Sequence, residues 1–228
     1  MSNYLFTPAV PSLPIEGSQQ QFPIHRVYCV GRNYADHARE MGHDPDREPP
    51  FFFNKHPDSL ISGGQDFPYP TATSDVHHEI ELVVALKSGG TNIPVDEAMQ
   101  HVFGYAVGLD MTRRDIQAIA KSKGHPWSTA KAFDHAAPCT ALVPASKIGH
   151  PQKGQIHLDI NGVRKQTGDL SSMIWSIPET IAHLSRLFEL KAGDVIFTGT
   201  PSGVGPVSRG DFLEGEVEGV AKLKLRVV

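Results

Sequence analysis

The segment EIELVVAL, residues 79–86, constrains this chain more than any other. Val83, Val84, Ala85 and Leu86 form an apolar run with the composition of a buried strand. Two glutamates, Glu79 and Glu81, stand directly ahead of it. Residues two apart on a strand project to the same face, so both carboxylates point the same way at the edge of a core. Ionised carboxylates there must be paired with cations or hold a metal ion, because an uncompensated buried charge is too costly. The fold therefore has to deliver positive charge to this point.

The rest of the chain sets the frame. Its 228 residues suit one domain, with room for a small appended segment. A chain of this size buries roughly 70% of its unfolded surface, so no disulfide framework is needed. Two cysteines, Cys29 and Cys139, fit a reducing compartment, and a cytoplasmic setting is expected. Residues 1–24 carry Pro8, Pro11, Pro14 and Pro23 and no continuous apolar stretch, so neither a signal peptide nor a membrane span is expected. They read as an extended N-terminal arm, ahead of a domain over residues 25–228. A net charge of −4 with scattered Lys and Arg gives no footprint for nucleic acid. The twelve histidines are not clustered as zinc ligands would be.

Local signals predict many short strands and few helices. RVYCVG (26–31) reads as a buried strand and NYADHAREMG (33–42) as a short helix closed by Gly42. The polar, proline-rich stretch 43–50 behind it suggests a mobile helix. Pro94 opens a short helix over 94–102, and FGYAVGLD (103–110) is a strand ending on Asp110. Thr112 is a candidate N-cap for a helix over 112–124, with an Ile116/Ile119/Ala120 stripe and Gly124 as its stop. Asn161-Gly162 marks a hairpin within 155–168. Ser176 and Glu179 form a capping box for a helix reaching 190, with an Ile181/Leu184/Phe188 stripe. DVIFTGT (194–200) and VAKLKLRVV (220–228) are further strands. Strands that do not alternate regularly with helices favour an α+β fold of packed or rolled sheets.

The residues with chemical potential form three groups. Glu79 and Glu81, with Asp110 at the end of a later strand, would make an all-oxygen site suited to Mg²⁺, Mn²⁺ or Ca²⁺. The same two glutamates could also line the wet face of an edge strand, since E-x-E is a weak pattern; His77 shares their face as a possible ligand. His37 and Glu40, three apart on a helix, can hydrogen-bond, and a carboxylate beside an imidazole raises its basicity toward water. An amphipathic surface helix would show the same spacing. Lys131, near Trp127 and Phe133, is either a desolvated lysine aimed at an anion or a surface residue. Arg114 and Gln117 follow Asp110 closely enough to share its space. The loop GTPSGVG (199–205) lacks the Lys-Ser/Thr pair of a nucleotide-binding loop, though its amides could cradle a carboxylate. Cys29, inside an apolar strand, is expected to stay a protonated thiol.

Five ordered stretches, VYCVGRNYADHAREMG, HHEIELVVAL, GYAVGLDMTRRDIQ, GHPWSTAKAFD and DVIFTGTPSGVGPV, together resemble the successive motifs of the fumarylacetoacetate hydrolase family. The likeness is nearest to its short acylpyruvate hydrolase branch and covers about residues 25–228. It implies a mixed β-sandwich or roll with a few short helices, assembled as a homodimer. It implies Mg²⁺ or Mn²⁺ (Ca²⁺ in vitro) on Glu79, Glu81 and Asp110, with His37, Glu40 and Lys131 as catalytic residues. Gln117, Thr200, Arg32 and Arg114 follow as contacts to a keto-acid substrate. One departure is His56 directly after Lys55, where relatives commonly have proline. The activity implied is hydrolysis of the C–C bond of a 3-acylpyruvate, with fumarylpyruvate, a product of aromatic breakdown, preferred. Oxaloacetate decarboxylation and isomerisation of a hydroxylated dienedioate use the same enolate chemistry and remain alternatives, as does a protein that binds metal without catalysis.

Overall fold

A computed structural model describes residues 5–36, 48–62 and 64–228. The centre is a six-stranded mixed sheet in the order Val143–Pro144, Val102–Leu109, Ile80–Leu86, Asp194–Phe197, Arg26–Gly31, Phe51–Lys55. Only the contact between Asp194–Phe197 and Arg26–Gly31 is parallel. A second, antiparallel sheet of four strands runs Val163–Asp169, Gln155–Ile160, Phe212–Val217, Ala221–Arg226. A small sheet joins Gly205–Pro206, Val76–His78 and Thr112–Arg113. The fold is α+β, as the irregular strand pattern predicts. Among the described residues no helix is long and apolar enough to cross a membrane.

The strand Ile80–Leu86 is buried at all seven positions, and its alternation divides the core in two. Ile80, Leu82, Val84 and Leu86 face the larger cluster, with Ile156, Leu158 and Leu213 of the four-stranded sheet. Val83 and Ala85 face a smaller cluster with Leu13, Phe22, Cys29, Cys139 and Phe197. Glu81 belongs to this second set by the period of two, which carries its carboxylate to the end of the smaller core. The neighbouring strand Val102–Leu109 splits alike: Val107 and Leu109 face the larger cluster and Ala106 the smaller. Gly108, between them, has no room for a side chain, since a Cβ would lie 2.7 Å from Phe197 and 2.8 Å from Val83.

Residues 12–23 form a hairpin within the stretch read as an extended arm. Ser12–Pro14 pairs with Gln21–Pro23, and Leu13 and Phe22 are buried in the smaller cluster. The predicted Asn161-Gly162 hairpin is present, with φ of 52° and 77° at the two turn residues, the left-handed pair of a type I′ turn. The capping box is present too: Glu179 Oε2 accepts from Ser176 N–H at 3.0 Å, at the start of the helix Ile177–Leu187. Phe188 lies just past the helix end and is partly exposed.

Phe188 thus falls out of the expected stripe, and three further local expectations differ from the structure. The helix expected from Pro94 is a 3₁₀ turn over Ala98–His101. Thr112 is not an N-cap; it is in a short strand, and its hydroxyl donates to the Asp110 carbonyl at 3.1 Å. The helix after it, Arg114–Lys123, ends as predicted at left-handed Gly124 but buries Gln117 and Ala120 while exposing Ile119. A polar residue displaces the apolar stripe because this helix packs beside a charged cleft.

Candidate metal centre and active-site cleft

Strand pairing assembles the carboxylates. Ile80 pairs with Leu109 and Glu81 with Gly108, and one step further the Asp110 N–H donates to the Glu79 carbonyl at 2.8 Å. Glu79 interrupts the strand between Val76–His78 and Ile80–Leu86, so the segment is two strands rather than one. Glu79, Glu81 and Asp110 are all buried, and each offers a carboxylate oxygen within 4.8 Å of the others. The wet-edge reading of the two glutamates does not hold. His77 is not in this cluster; its Nε2 is 2.9 Å from Asp75.

The positive partner demanded by the sequence is chiefly Lys131, on the short helix Ser128–Lys131. Its Nζ donates to Glu79 Oε2 at 2.8 Å and to Asp110 Oδ2 at 2.9 Å, and the side chain is 3% exposed. Burial pulls its pKa down, but Asp110 and Glu79 outweigh that and raise it, so the ammonium stays charged. Arg114 holds the far side of Glu79, Nη2 to Oε1 at 2.6 Å, and its Nη1 donates to Gln117 Oε1 at 2.7 Å.

Lys55 completes the set and carried no motif of its own. Its Nζ lies 2.7 Å from Asp110 Oδ1 and donates to the backbone carbonyls of Met111 and Lys131. The one available signal was periodic. Phe51, Phe53 and Lys55 alternate on one strand, and both phenylalanines line the cleft.

Three carboxylates thus meet three cations, but not evenly. Among the described residues Glu81 has no side-chain cation on it: Gly199 N–H donates to its Oε2 at 2.7 Å. Burial, then Asp110 and Glu79, push its pKa well above the carboxylate range. A buried acid facing two other acids, with every ligand atom an oxygen, fits a hard divalent cation seated among them.

Gly199 also anchors the loop. Its φ of +98° is left-handed, and a Cβ there would lie 2.7 Å from Asn33 Cβ. Asn33 in turn donates to the Thr198 and Trp175 carbonyls at 2.8 and 2.9 Å. Gly199→Ala is expected to lower stability by about 1–3 kcal/mol, read from the urea midpoint. Thr200 lines the cleft, its hydroxyl donating to the Ile80 carbonyl and accepting from buried Gln166. Gln166 also accepts from Ile80 N–H at 3.0 Å, tying the second sheet to the carboxylate strand. Cys29 lies in the core, its thiol pushed well above its usual range by burial, so it is no nucleophile.

The cleft above the carboxylates holds about 420 Å³ with its open mouth and is walled by Phe51, Phe53 and Trp127. Arg32, Arg114, Gln117, Lys131 and Thr200, all expected from the sequence, line it with the three acids. His37 and Glu40 lie outside the described residues.

Comparison with known proteins agrees with this geometry. The profile of the fumarylacetoacetate (FAA) hydrolase C-terminal family matches residues 26–228. A fumarylpyruvate hydrolase of Ralstonia is 43% identical over 82% of this chain and 98% of its own. A human mitochondrial oxaloacetate tautomerase is 43% identical over 88% and 90%. The crystal structure of fumarylpyruvate hydrolase from Pseudomonas aeruginosa, in complex with Mn²⁺ and pyruvate, superposes with a TM-score of 0.97 at 52% identity, covering 99% of both chains. The chain therefore belongs to the fumarylacetoacetate hydrolase family and is an enzyme built on that family's C-terminal domain.

Proposed function

We propose that this enzyme, acting through residues 25–228, is a divalent-metal-dependent hydrolase that cleaves the C–C bond of a 3-acylpyruvate. Fumarylpyruvate is its preferred substrate, giving fumarate and pyruvate. The observation that carries the reading is the buried Glu79/Glu81/Asp110 cluster bordered by Lys131 and Arg114 on the floor of one cleft. The fumarylpyruvate hydrolases among its relatives, one bearing Mn²⁺ and pyruvate, support it.

Glu79, Glu81 and Asp110 would hold Mg²⁺ or Mn²⁺. When bound, that cation supplies Lewis-acid stabilisation for the negative charge that develops on the pyruvate half. Lys131 and Gln117 hold the substrate oxygens and the oxyanion formed on the acyl carbonyl, with Arg114, Thr200 and Arg32 as further contacts. His37, oriented by Glu40, takes a proton from water, and the resulting hydroxide attacks the acyl carbonyl. The C–C bond then breaks, its electron pair passes to the pyruvate fragment as an enolate, and a proton returns to carbon.

His37→Ala should keep metal affinity and lose most of its turnover. A kcat/KM within about threefold of wild type, under 1 kcal/mol of barrier, would remove His37 as the base. The tautomerase relative favours a second reading, chemistry on oxaloacetate without water attack. A panel of acetylpyruvate, fumarylpyruvate and oxaloacetate with Mg²⁺ or Mn²⁺ separates the readings by product: fumarate plus pyruvate supports the first, and turnover of oxaloacetate alone overturns it.

A further inference from the structure

The helix Arg114–Lys123 presents more to the cleft than the two residues used above. Arg114, Gln117 and Lys121 are spaced by three and four, so they form one stripe on one helix face, and all three line the cavity. Arg114 is bonded to Glu79 at the floor, and Gln117 is buried one turn on. Lys121, two turns from Arg114 and about 10 Å away along the axis at ~1.5 Å per residue, stands at the mouth. The stripe is a graded track leading outward from the carboxylate cluster.

Lys121 is exposed at the rim of the cleft, yet its ammonium is placed against an aromatic wall. Its Nζ lies 5.2 Å from the centre of the Trp127 ring, and Trp127 packs edge-on against Phe51 at 5.7 Å. Arg32, in a left-handed turn with φ of 57°, places its guanidinium 5.3 Å from the centre of the Phe51 ring. Two packed aromatic rings thus carry one cation each. Lys121 makes no ion pair among the described residues. Burial, followed by Arg114 and Arg32, lowers its pKa against a smaller opposing pull from Glu79, and an arriving anion would relieve that crowding of cations.

We propose that Lys121, with Arg32 on the neighbouring ring, is the specificity-determining residue for the far end of the substrate: it receives a terminal carboxylate on the acyl arm, while the Phe51–Trp127 pair lies along a flat, unsaturated chain. The substrate class is then a dicarboxylate whose acyl arm ends in an anion, not a short or apolar 3-acylpyruvate. The inference rests on the acylpyruvate hydrolase reading and refines it. It also fits the charges. With three acids matched by Lys55, Lys131 and Arg114, a divalent cation leaves an excess of two positive charges at the floor, and Arg32 and Lys121 add more at the mouth. Glu48 lies near Arg32, so among the described residues Lys121 is the cation that a monoanionic substrate would leave unanswered.

Two readouts test this on the Mn²⁺-loaded protein. In kinetics, Lys121→Met should lower the ratio of kcat/KM for fumarylpyruvate over acetylpyruvate at least tenfold, and Lys121→Arg should restore most of it. In calorimetry, wild type should bind fumarate at least tenfold tighter than monomethyl fumarate, and Lys121→Met should abolish that preference. An unchanged ratio, or equal losses on both members of each pair, would overturn the role of Lys121. If wild type turns over neither acylpyruvate, the hydrolase reading fails, and the fumarate comparison still decides Lys121.

Discussion

Lys131→Met is expected to lower the stability of the metal-free protein by about 3–5 kcal/mol, because it removes one partner of a buried charge network. The ammonium lies on Glu79 and Asp110 at 2.8 and 2.9 Å, and methionine fills its volume while returning none of its charge. Asp110 keeps Lys55 and Glu79 keeps Arg114, but both lose their shared bridge and face Glu81 more directly. Urea unfolding with and without Mn²⁺ checks this in a way that separates charge from packing. A divalent cation placed among the three acids replaces part of the lost positive charge, so Mn²⁺ should recover more stability in the variant than it adds to wild type. An equal gain in both would mean that the charge of Lys131 is not what the cation replaces. Turnover should stay low even in the stabilised variant, since Lys131 also contacts substrate in the proposed mechanism.

Asp110→Asn should have the largest effect on activity. It exchanges a charged ligand oxygen for an amide of the same shape, and it leaves Lys55 and Lys131 sharing one acid fewer. Mn²⁺ affinity should fall at least a hundredfold by calorimetry, and kcat/KM at least a thousandfold, about 4 kcal/mol of barrier. A thermal shift gives an independent readout. Metal at 100 times its Kd should add roughly 2.7 kcal/mol to wild type and nearly nothing to the variant at the same concentration. Wild-type affinity in Asp110→Asn would show that the cation does not use this oxygen.

Much of the site was legible because its residues follow local rules. Glu79 and Glu81 stand two apart at the head of an apolar run, which was enough to pair them, although Glu79 falls at the break between two strands. Asp110 was legible as the end of a strand. Arg114 and Gln117 were legible as neighbours one turn apart on the helix that follows. The Asn161-Gly162 turn and the Ser176/Glu179 box were legible for the same reason, since each needs only a few adjacent residues. Where a distant partner decided the outcome, local rules failed. Ile119 belonged to an apolar stripe by spacing, yet the helix turned Gln117 inward because the surface it packs against is a charged cleft. Thr112 had the chemistry of a cap, but its hydroxyl went to Asp110 and its backbone to the strand beside Val76.

Lys55 shows the boundary most clearly. Nothing adjacent to it in the chain names its role, because its partners Asp110, Met111 and Lys131 lie 55 to 76 residues further on. Glycine at 199 had a similar double duty that only packing reveals: room for Asn33 and an amide for Glu81. By itself the sequence determined that two acids stand together at the head of an apolar strand, which metal class they and Asp110 would suit, and that compensating charge had to arrive if they were buried. The tertiary structure alone decided which cations arrive, and that Glu81 receives a backbone amide where its two companions receive ammonium or guanidinium groups. The reason is physical: side-chain direction follows from neighbours along the chain, whereas electrostatic compensation acts through space and is settled only when the strands pair in register.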